Sequence, residues 1–360
     1  MLEGFERDEL LQLSWGKPMM AQLELTRECN QRCIFCFRAC CPEIKYPVLS
    51  GDQWKTIIGK LKRLGVRRLN FSGGENFLHP NFVSTIIFAK TEGFEVIVNT
   101  NGTFDCGPIA KYSDEIIFSV HGFKKIHESI TGRQGSFEAA ESHLMQVANL
   151  LTRVSVNMVL VKSNYEQMNS LFEYFDKLYN LHKFSPTVSI RSLFGFKHAD
   201  QALEITEEFL EDYKRRIAAI PAQKLELKHG FQTIYFGDPA LYTKPVFPLA
   251  NCAGGKYKLV IDCNGDVYPC NFFRDQEFYC GNILTDDEMK IWRTGKGFER
   301  FRKLALQETI PQKCHTCLKK ARCMSGCRAW SSQYQNGGFE NVSDLRCQIG
   351  NAFIGSGNYH

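Results

Sequence analysis

Several features are missing from this sequence, and each gap narrows its class before any motif is read. No stretch of the 360 residues approaches the roughly 20 consecutive apolar residues needed to cross a bilayer. The N-terminus, MLEGFERDELLQLSWGKPMM, mixes charges with apolar residues and has no uninterrupted apolar centre of the kind a secretory signal needs. A cytoplasmic protein that engages no membrane is expected. There is no low-complexity tract, no visible internal repeat and no run of like charge. A net charge of +5 is too small to argue for nucleic acid, and none is expected as a partner.

One absence is local. The chain holds 15 cysteines, yet none lies between Gly107 and Asn251. Five fall between Cys29 and Cys41, Cys106 stands alone, and nine fall between Cys252 and Cys347. In a reducing compartment such clusters bind metal more readily than they form disulfides. The split implies two metal-bearing regions separated by a scaffold.

The scaffold alternates strand and helix. AQLEL, RRLNFSGGE, FEVIVNTNG, EIIFSVHG, VSVNMVLV and TVSIRSL read as strands. SGDQWKTIIGKLKRLG reads as a capped amphipathic helix ended by Gly65, and HPNFVSTIIFAKTEG, SFEAAESHLMQVANLLT, NYEQMNSLFEYFDKLYNL and TEEFLEDYKRRIAAI are further helices. Six β-α units predict a parallel sheet, either open and doubly wound or curled into a partial barrel. Both gather ligands where strands end. Cys29 follows the first strand, Gly73-Gly74-Glu75 the second and Asn99 and Asn101 the third, while Ser119 and His121 lie on the fourth. Four such motifs in succession mark one shared site.

Cys29, Cys33 and Cys36 have the spacing C-x3-C-x2-C. Three thiolates satisfy three irons of a four-iron cluster and leave the fourth open, whereas a structural zinc site wants a fourth ligand, such as Cys40 or Cys41. At this point the sequence resembles the radical S-adenosylmethionine (SAM) superfamily, whose signature C-x3-C-x-aromatic-C is supplied by CNQRCIFC with Phe35 as the aromatic. SGGEN, VNTNGT and FSVHG continue the likeness, with Asn76 where proline is more usual and His121 where many members carry aspartate. The resemblance implies a partial (β/α)6 TIM-like barrel. It places Gly73, Gly74 and Glu75 at the amino group of SAM, Phe35 and Asn99 in the same pocket, Ser119 near the ribose and Leu193 near the adenine.

The C-terminal cysteines read C-x2-C-x5-C-x3-C through Cys314, Cys317, Cys323 and Cys327, a strong metal-ligand spacing that zinc would also satisfy. With Cys252, Gly265 to Cys270, and Cys347, the region looks like the SPASM extension of radical SAM enzymes. That likeness implies two auxiliary [4Fe–4S] clusters in a small cysteine-rich domain. One would be held by Cys314, Cys317, Cys323 and Cys347, the other by Cys252, Cys270 and Cys327 with Cys263, Cys280 or an open iron completing it. The expected organisation is an N-terminal extension (1–19), the barrel (20–220), a linker (221–250), the SPASM domain (251–350) and a tail (351–360).

The family chemistry implied is reductive cleavage of SAM to a 5′-deoxyadenosyl radical, which takes a hydrogen atom from substrate. The electron would come from a flavodoxin or ferredoxin-type donor. The substrate implied is a peptide or protein, as in maturation of ribosomally made precursors. Anaerobic sulfatase maturation and small-molecule dehydrogenation are alternatives within the group. GDVYPCNFFR resembles the maturase cysteine region, but Asn271 stands where those enzymes carry an aspartate base and cannot take a proton. Only 28 residues precede Cys29, so a precursor peptide would be recognised at the barrel mouth, by the SPASM region or by a separate protein. A non-enzymatic iron–sulfur or zinc protein would account for the cysteines but not for the glycine-glycine-glutamate turn.

Overall fold

A computed structural model describes residues 17–38, 47–150, 153–182, 189–194, 206–220, 225–228, 231–235, 254–303 and 316. Six strands carry the scaffold: β1 (Met20–Glu24), β2 (Arg68–Ser72), β3 (Glu95–Thr100), β4 (Glu115–Ser119), β5 (Arg153–Leu160) and β6 (Ser189–Phe194). They pair in parallel and in chain order, β1-β2-β3-β4-β5-β6. A doubly wound sheet would reverse its order at a switch point. Unbroken order puts every right-handed crossover on one face, and the sheet curls around the other. The partial barrel is therefore the outcome.

Helices α1 (Gly51–Leu64), α2 (Phe82–Thr91), α3 (Gly107–Ala110), α4 (Lys124–Thr131), α5 (Ser136–Ala148), α6 (Met168–His182) and α7 (Glu207–Ala218) follow the strands. The entry of α1 shows why its sequence reads so clearly. Ser50 accepts from the Gln53 backbone while the Gln53 side chain returns to the Ser50 N–H, and Gly65 closes the far end in the left-handed region at φ 95°. Its apolar stripe, Trp54, Ile57, Ile58 and Leu61, shares one continuous core with Ala21 and Leu23 from the outer face of β1 and with Leu25 just beyond it. The alternate residues of β1, Gln22 and Glu24, consequently face the barrel interior.

The sheet is wider than six strands. The antiparallel β7 (Leu225–Lys228) and β8 (Phe231–Tyr235) extend it beyond β6. They fall in the stretch read as linker. On the other side, β9 (Lys258–Ile261) pairs in parallel with β1, and β10 (Val267–Tyr268) turns back against β9. The start of the C-terminal cysteine region is thus an edge of the barrel sheet itself. Helices α8 (Glu288–Thr294) and α9 (Lys296–Lys303) cover this end, tied by buried Arg302, which donates to the carbonyls of Gly255 and Trp292, each at 2.7 Å. Among the described residues no helix is long and apolar enough to cross a membrane.

Candidate cluster and cofactor site

Cys29, Cys33 and Cys36 occupy the loop that leaves β1 at the C-terminal mouth of the barrel. The loop is held at several points. The N–H groups of Arg32 and Ile34 donate to the carbonyls of Thr131 and Ile130 at the end of α4, at 2.8 and 3.0 Å, and Cys36 N–H donates to Cys33 O at 3.0 Å. Asn101, just past β3, donates to Asn30 Oδ1 at 2.7 Å and to Cys29 Sγ at 3.9 Å.

The glycine-glycine-glutamate turn is fastened to the same loop. Gly74 and Glu75 N–H donate to the carbonyls of Thr26 and Glu28, both at 2.8 Å. A Cβ on Gly74 would sit 2.0 Å from Glu28 O, and one on Gly73 2.7 Å from Thr26 O. Glycine is required here because two backbones meet, and the φ of 114° at Gly73 adds a second reason. The resemblance places these glycines at the amino group of SAM; in the structure they also meet the backbone of the cysteine loop.

Glu75 is buried, and its carboxylate accepts from Thr100 Oγ1 at 3.0 Å and Asn101 N at 2.8 Å. Burial raises its pKa to about 7. Its observed partners thus belong to the end of β3 and, through Phe77 N at 3.4 Å, to its own turn, and through Asn101 it steadies the sulfur of Cys29. Asn99 donates to Asn70 Oδ1 at 2.5 Å and to Phe71 O at 3.1 Å. Asn76 donates to Asn99 O at 2.8 Å, but its own buried Oδ1 has no partner among the described residues. Ser119 ends β4, paired in register with Asn157. Leu193 lies near the end of β6, opposite Val159. The structure brings the strand-end residues to one mouth, in the order the sequence predicts.

Phe35 makes an edge contact with His121, ring centroids 4.6 Å apart, and His121 stacks on His127 at 5.7 Å. Both imidazoles accept backbone hydrogen bonds on Nδ1, from Val159 N at 3.2 Å and from His121 N at 3.1 Å respectively. Burial keeps both neutral, lowering His121 well below its ordinary range and His127 to about 4. Histidine in place of the commoner aspartate thus brings no charge to the pocket.

The donor set fits an iron–sulfur cluster. Burial pushes the Cys29 thiol up to about 11, and Cys33 rises further, each also raised by a neighbouring cysteine. Such thiols become thiolates when a metal takes the proton's place. Among the described residues no three His, Cys, Asp or Glu side chains gather as ligands of a single ion. In a four-iron cluster each thiolate bonds a different iron, so a looser triangle serves. Of the C-terminal ligand candidates, Cys270 lies at a bridge to Phe273 beside Phe278 and Phe301. Cys263 lies beside Asp262, Arg27 and Arg38, and Cys280 is packed in the main core and donates to Phe278 O. Cys40, Cys41, Cys252, Cys314, Cys317, Cys323, Cys327 and Cys347 lie outside the described residues.

Sequence reasoning missed an ionic cluster where the loop meets the C-terminal region. Glu24 on β1 and Asp262 after β9, each 1% exposed, are surrounded by Arg27, Arg38 and Arg274. Arg38 Nη2 lies 3.1 Å from both Asp262 oxygens and 3.1 Å from Glu24 Oε2, while Arg274 also donates to Glu24. The only local signal was an acid alternating inward on a strand. Its partners lie up to 250 residues away.

The fold and site together define a metal-cluster enzyme: a parallel half-barrel with a three-cysteine loop at its mouth. Comparison with known proteins identifies which. Residues 23–175 match the radical SAM superfamily and residues 252–318 the SPASM iron-sulfur cluster-binding domain. The chain belongs to the radical SAM superfamily, in its SPASM subgroup, and uses SAM and [4Fe–4S] clusters. It is 24% identical to mycofactocin maturase MftC of Mycobacterium tuberculosis over 91% of this chain and 81% of that one. With the subtilosin biosynthesis protein AlbA of Bacillus subtilis it shares 25% identity over 77% of this chain and 60% of that one. The SAM-bound structure of Streptococcus suis SuiB has the same fold, with a TM-score of 0.70 at 17% identity, over 92% of this chain and 78% of that one.

Proposed function

We propose that this chain modifies a peptide substrate, and that Cys29, Cys33 and Cys36 hold the cluster at which SAM is cleaved. The observation that carries this is the continuous hydrogen-bonded unit of cysteine loop, glycine turn and β3 end, in which Glu75 holds Asn101 and Asn101 holds Cys29. When bound, the reduced cluster and SAM supply a 5′-deoxyadenosyl radical that takes a hydrogen atom from substrate. The chain's own residues position and exclude. Phe35 and His121 close one side of the pocket with uncharged rings, and Gly73 and Gly74 bring the turn against the loop. Asn99, Ser119 and Leu193 lie near the ends of β3, β4 and β6, where the nucleoside of SAM would lie. Two relatives, MftC, named a mycofactocin maturase, and AlbA, named for biosynthesis of the bacteriocin subtilosin, support a peptide substrate.

Cys252, Cys270, Cys314, Cys317, Cys323, Cys327 and Cys347 are the auxiliary ligands of this reading, in a SPASM region spanning 251–350 after a barrel of 20–220. A flavodoxin or ferredoxin-type protein supplies the electron, in the cytoplasm. The test is anaerobic reconstitution with iron and sulfide, then dithionite and SAM, with 5′-deoxyadenosine as readout. The nucleoside should form in the reconstituted chain and vanish in Cys29→Ala, Cys33→Ala and Cys36→Ala. Bound zinc without labile sulfide would sink the proposal. A hydrogen atom removed from a non-peptide substrate alone would replace its peptide half.

A further inference from the structure

The ionic cluster between β1 and β9 is separate from the strand-end residues of β2 to β6 assigned to SAM, and it gathers buried charges inside the barrel. Three guanidinium groups share two carboxylates among the described residues. Arg27 and Arg38 come from the cysteine loop, and Arg274 comes from the segment after Cys270. Lys258 adds a fourth cation, donating to Gln22 Oε1 at 2.7 Å and Asn271 Oδ1 at 3.4 Å. The acids acting on Arg38 are Glu24 and Asp262. Arg38 and Arg274 are only 9% and 13% exposed. Among the described residues, Arg38 Nε and Arg274 Nη1 are nevertheless buried without a hydrogen-bond partner, although Arg274 Nη1 lies 3.4 Å from Asp262 Oδ2. Among the described residues Glu24 Oε2 makes no hydrogen bond either, and is matched by the ion pair to Arg38. Leaving buried cationic N–H groups without a hydrogen-bond acceptor is costly, and three guanidinium groups outnumber the two carboxylates, so such a site favours an incoming anion.

Its location says which anion. Gln22 and Glu24 face the barrel interior, and Lys258 meets them from the adjoining strand. The SAM-side residues lie at the ends of β2 to β6, across the mouth. Beside the cluster, Phe37 and Phe272 pack with ring centroids 4.6 Å apart, and Phe37 is 40% exposed. An exposed aromatic pair thus borders the cationic cluster, between the cysteine loop and the C-terminal region. Asn271 completes the argument: an aspartate there would set a competing carboxylate beside Lys258.

We propose that Arg38 and Arg274, with Lys258, form a recognition site for a carboxylate of the peptide substrate, either an acidic side chain or the chain terminus. This rests on the reading that the substrate is a peptide. Guanidinium groups bind carboxylates through paired, charge-assisted hydrogen bonds, and the aromatic pair receives the neighbouring apolar part of the peptide.

The experiment titrates three capped tripeptides into the reconstituted, SAM-loaded full chain by calorimetry at low salt. Ac-Ala-Glu-Ala-NH2 carries a side-chain carboxylate, Ac-Ala-Gln-Ala-OH a terminal one, and Ac-Ala-Gln-Ala-NH2 none. At least one carboxylate peptide should bind about tenfold or more tightly than the neutral one, and which one does so identifies the source. Arg274→Gln should abolish the preference. Asn271→Asp, which leaves every arginine in place, should reduce it several-fold and keeps the test decisive if Arg274→Gln fails to take up iron. Equal binding of all three peptides overturns the proposal. So does a variant that loses affinity for SAM while keeping the peptide preference. Release of 5′-deoxyadenosine from the same samples under dithionite separates the two readings: nucleoside without carboxylate preference removes only this site, and no nucleoside removes the proposed function.

Discussion

Individual residues show how closely this site is fitted. Gly74 has no room for a methyl group, because its Cβ would lie 2.0 Å from the carbonyl of Glu28. Gly74→Ala should therefore cost about 3 kcal/mol and loosen the cysteine loop. A lower urea midpoint together with reduced iron per chain would show this, and unchanged iron content would refute it. His127 makes a prediction about pH. Its folded pKa is about 4, below the ordinary value near 6.5, because burial penalises the charged form. As pH falls below about 6.5, the unfolded chain gains a proton that the folded chain resists until about 4. The contribution of His127 to stability should fall across that window by up to roughly 3 kcal/mol and stay level above it, while buried Glu75, with its raised pKa, contributes in the opposite direction as pH falls from about 7. His127→Asn keeps an acceptor near the His121 N–H and removes the titration, so urea midpoints measured against pH should show a shallower slope.

Among the elements, α1 is the clearest case of local chemistry acting alone. The reciprocal bonds of Ser50 and Gln53 satisfy donors at its first turn. Ser50→Ala should lower stability by about 1 kcal/mol and leave 5′-deoxyadenosine formation unchanged, since the cap lies outside the site. A change in nucleoside yield larger than the loss of folded protein would contradict this. Strands behave differently. β1 reads as a strand from AQLEL, yet the meaning of its inward acid comes from Arg38 and Arg274. Likewise β7 and β8 carry no strong signal of their own and form because the edge of β6 needs covering.

For the whole molecule, the cysteine inventory makes a quantitative prediction. Three four-iron clusters require about twelve irons per reconstituted chain. Replacing Cys29, Cys33 and Cys36 together with alanine should remove about four of them and all 5′-deoxyadenosine formation. The remaining irons should stay, because the C-terminal ligands lie elsewhere in the sequence. Loss of every iron in that variant would show the centres to depend on one another. The shared sheet gives a reason to look: β9, from the C-terminal region, is hydrogen-bonded to β1, which leads directly into Cys29.

Much of this was legible in the chain. Cysteine spacing is local covalent arithmetic, and strand-end motifs are set by six alternating β-α units, so both survive without tertiary knowledge. The cysteine loop, Phe35, the glycine turn and the strand ends at Asn99 and Ser119 are of this kind. What could not be read there depends on residues far apart in sequence. The choice of a half-barrel over a doubly wound sheet rests on strand order, which no local pattern encodes. The steric need for glycine at Gly73 and Gly74 comes from a backbone contact with Thr26 and Glu28, nearly fifty residues earlier. The arginine cluster is assembled from β1, the cysteine loop and the segment after Cys270. Its charge imbalance arises only when folding removes water from all three at once, because solvent screens such groups until they are buried together.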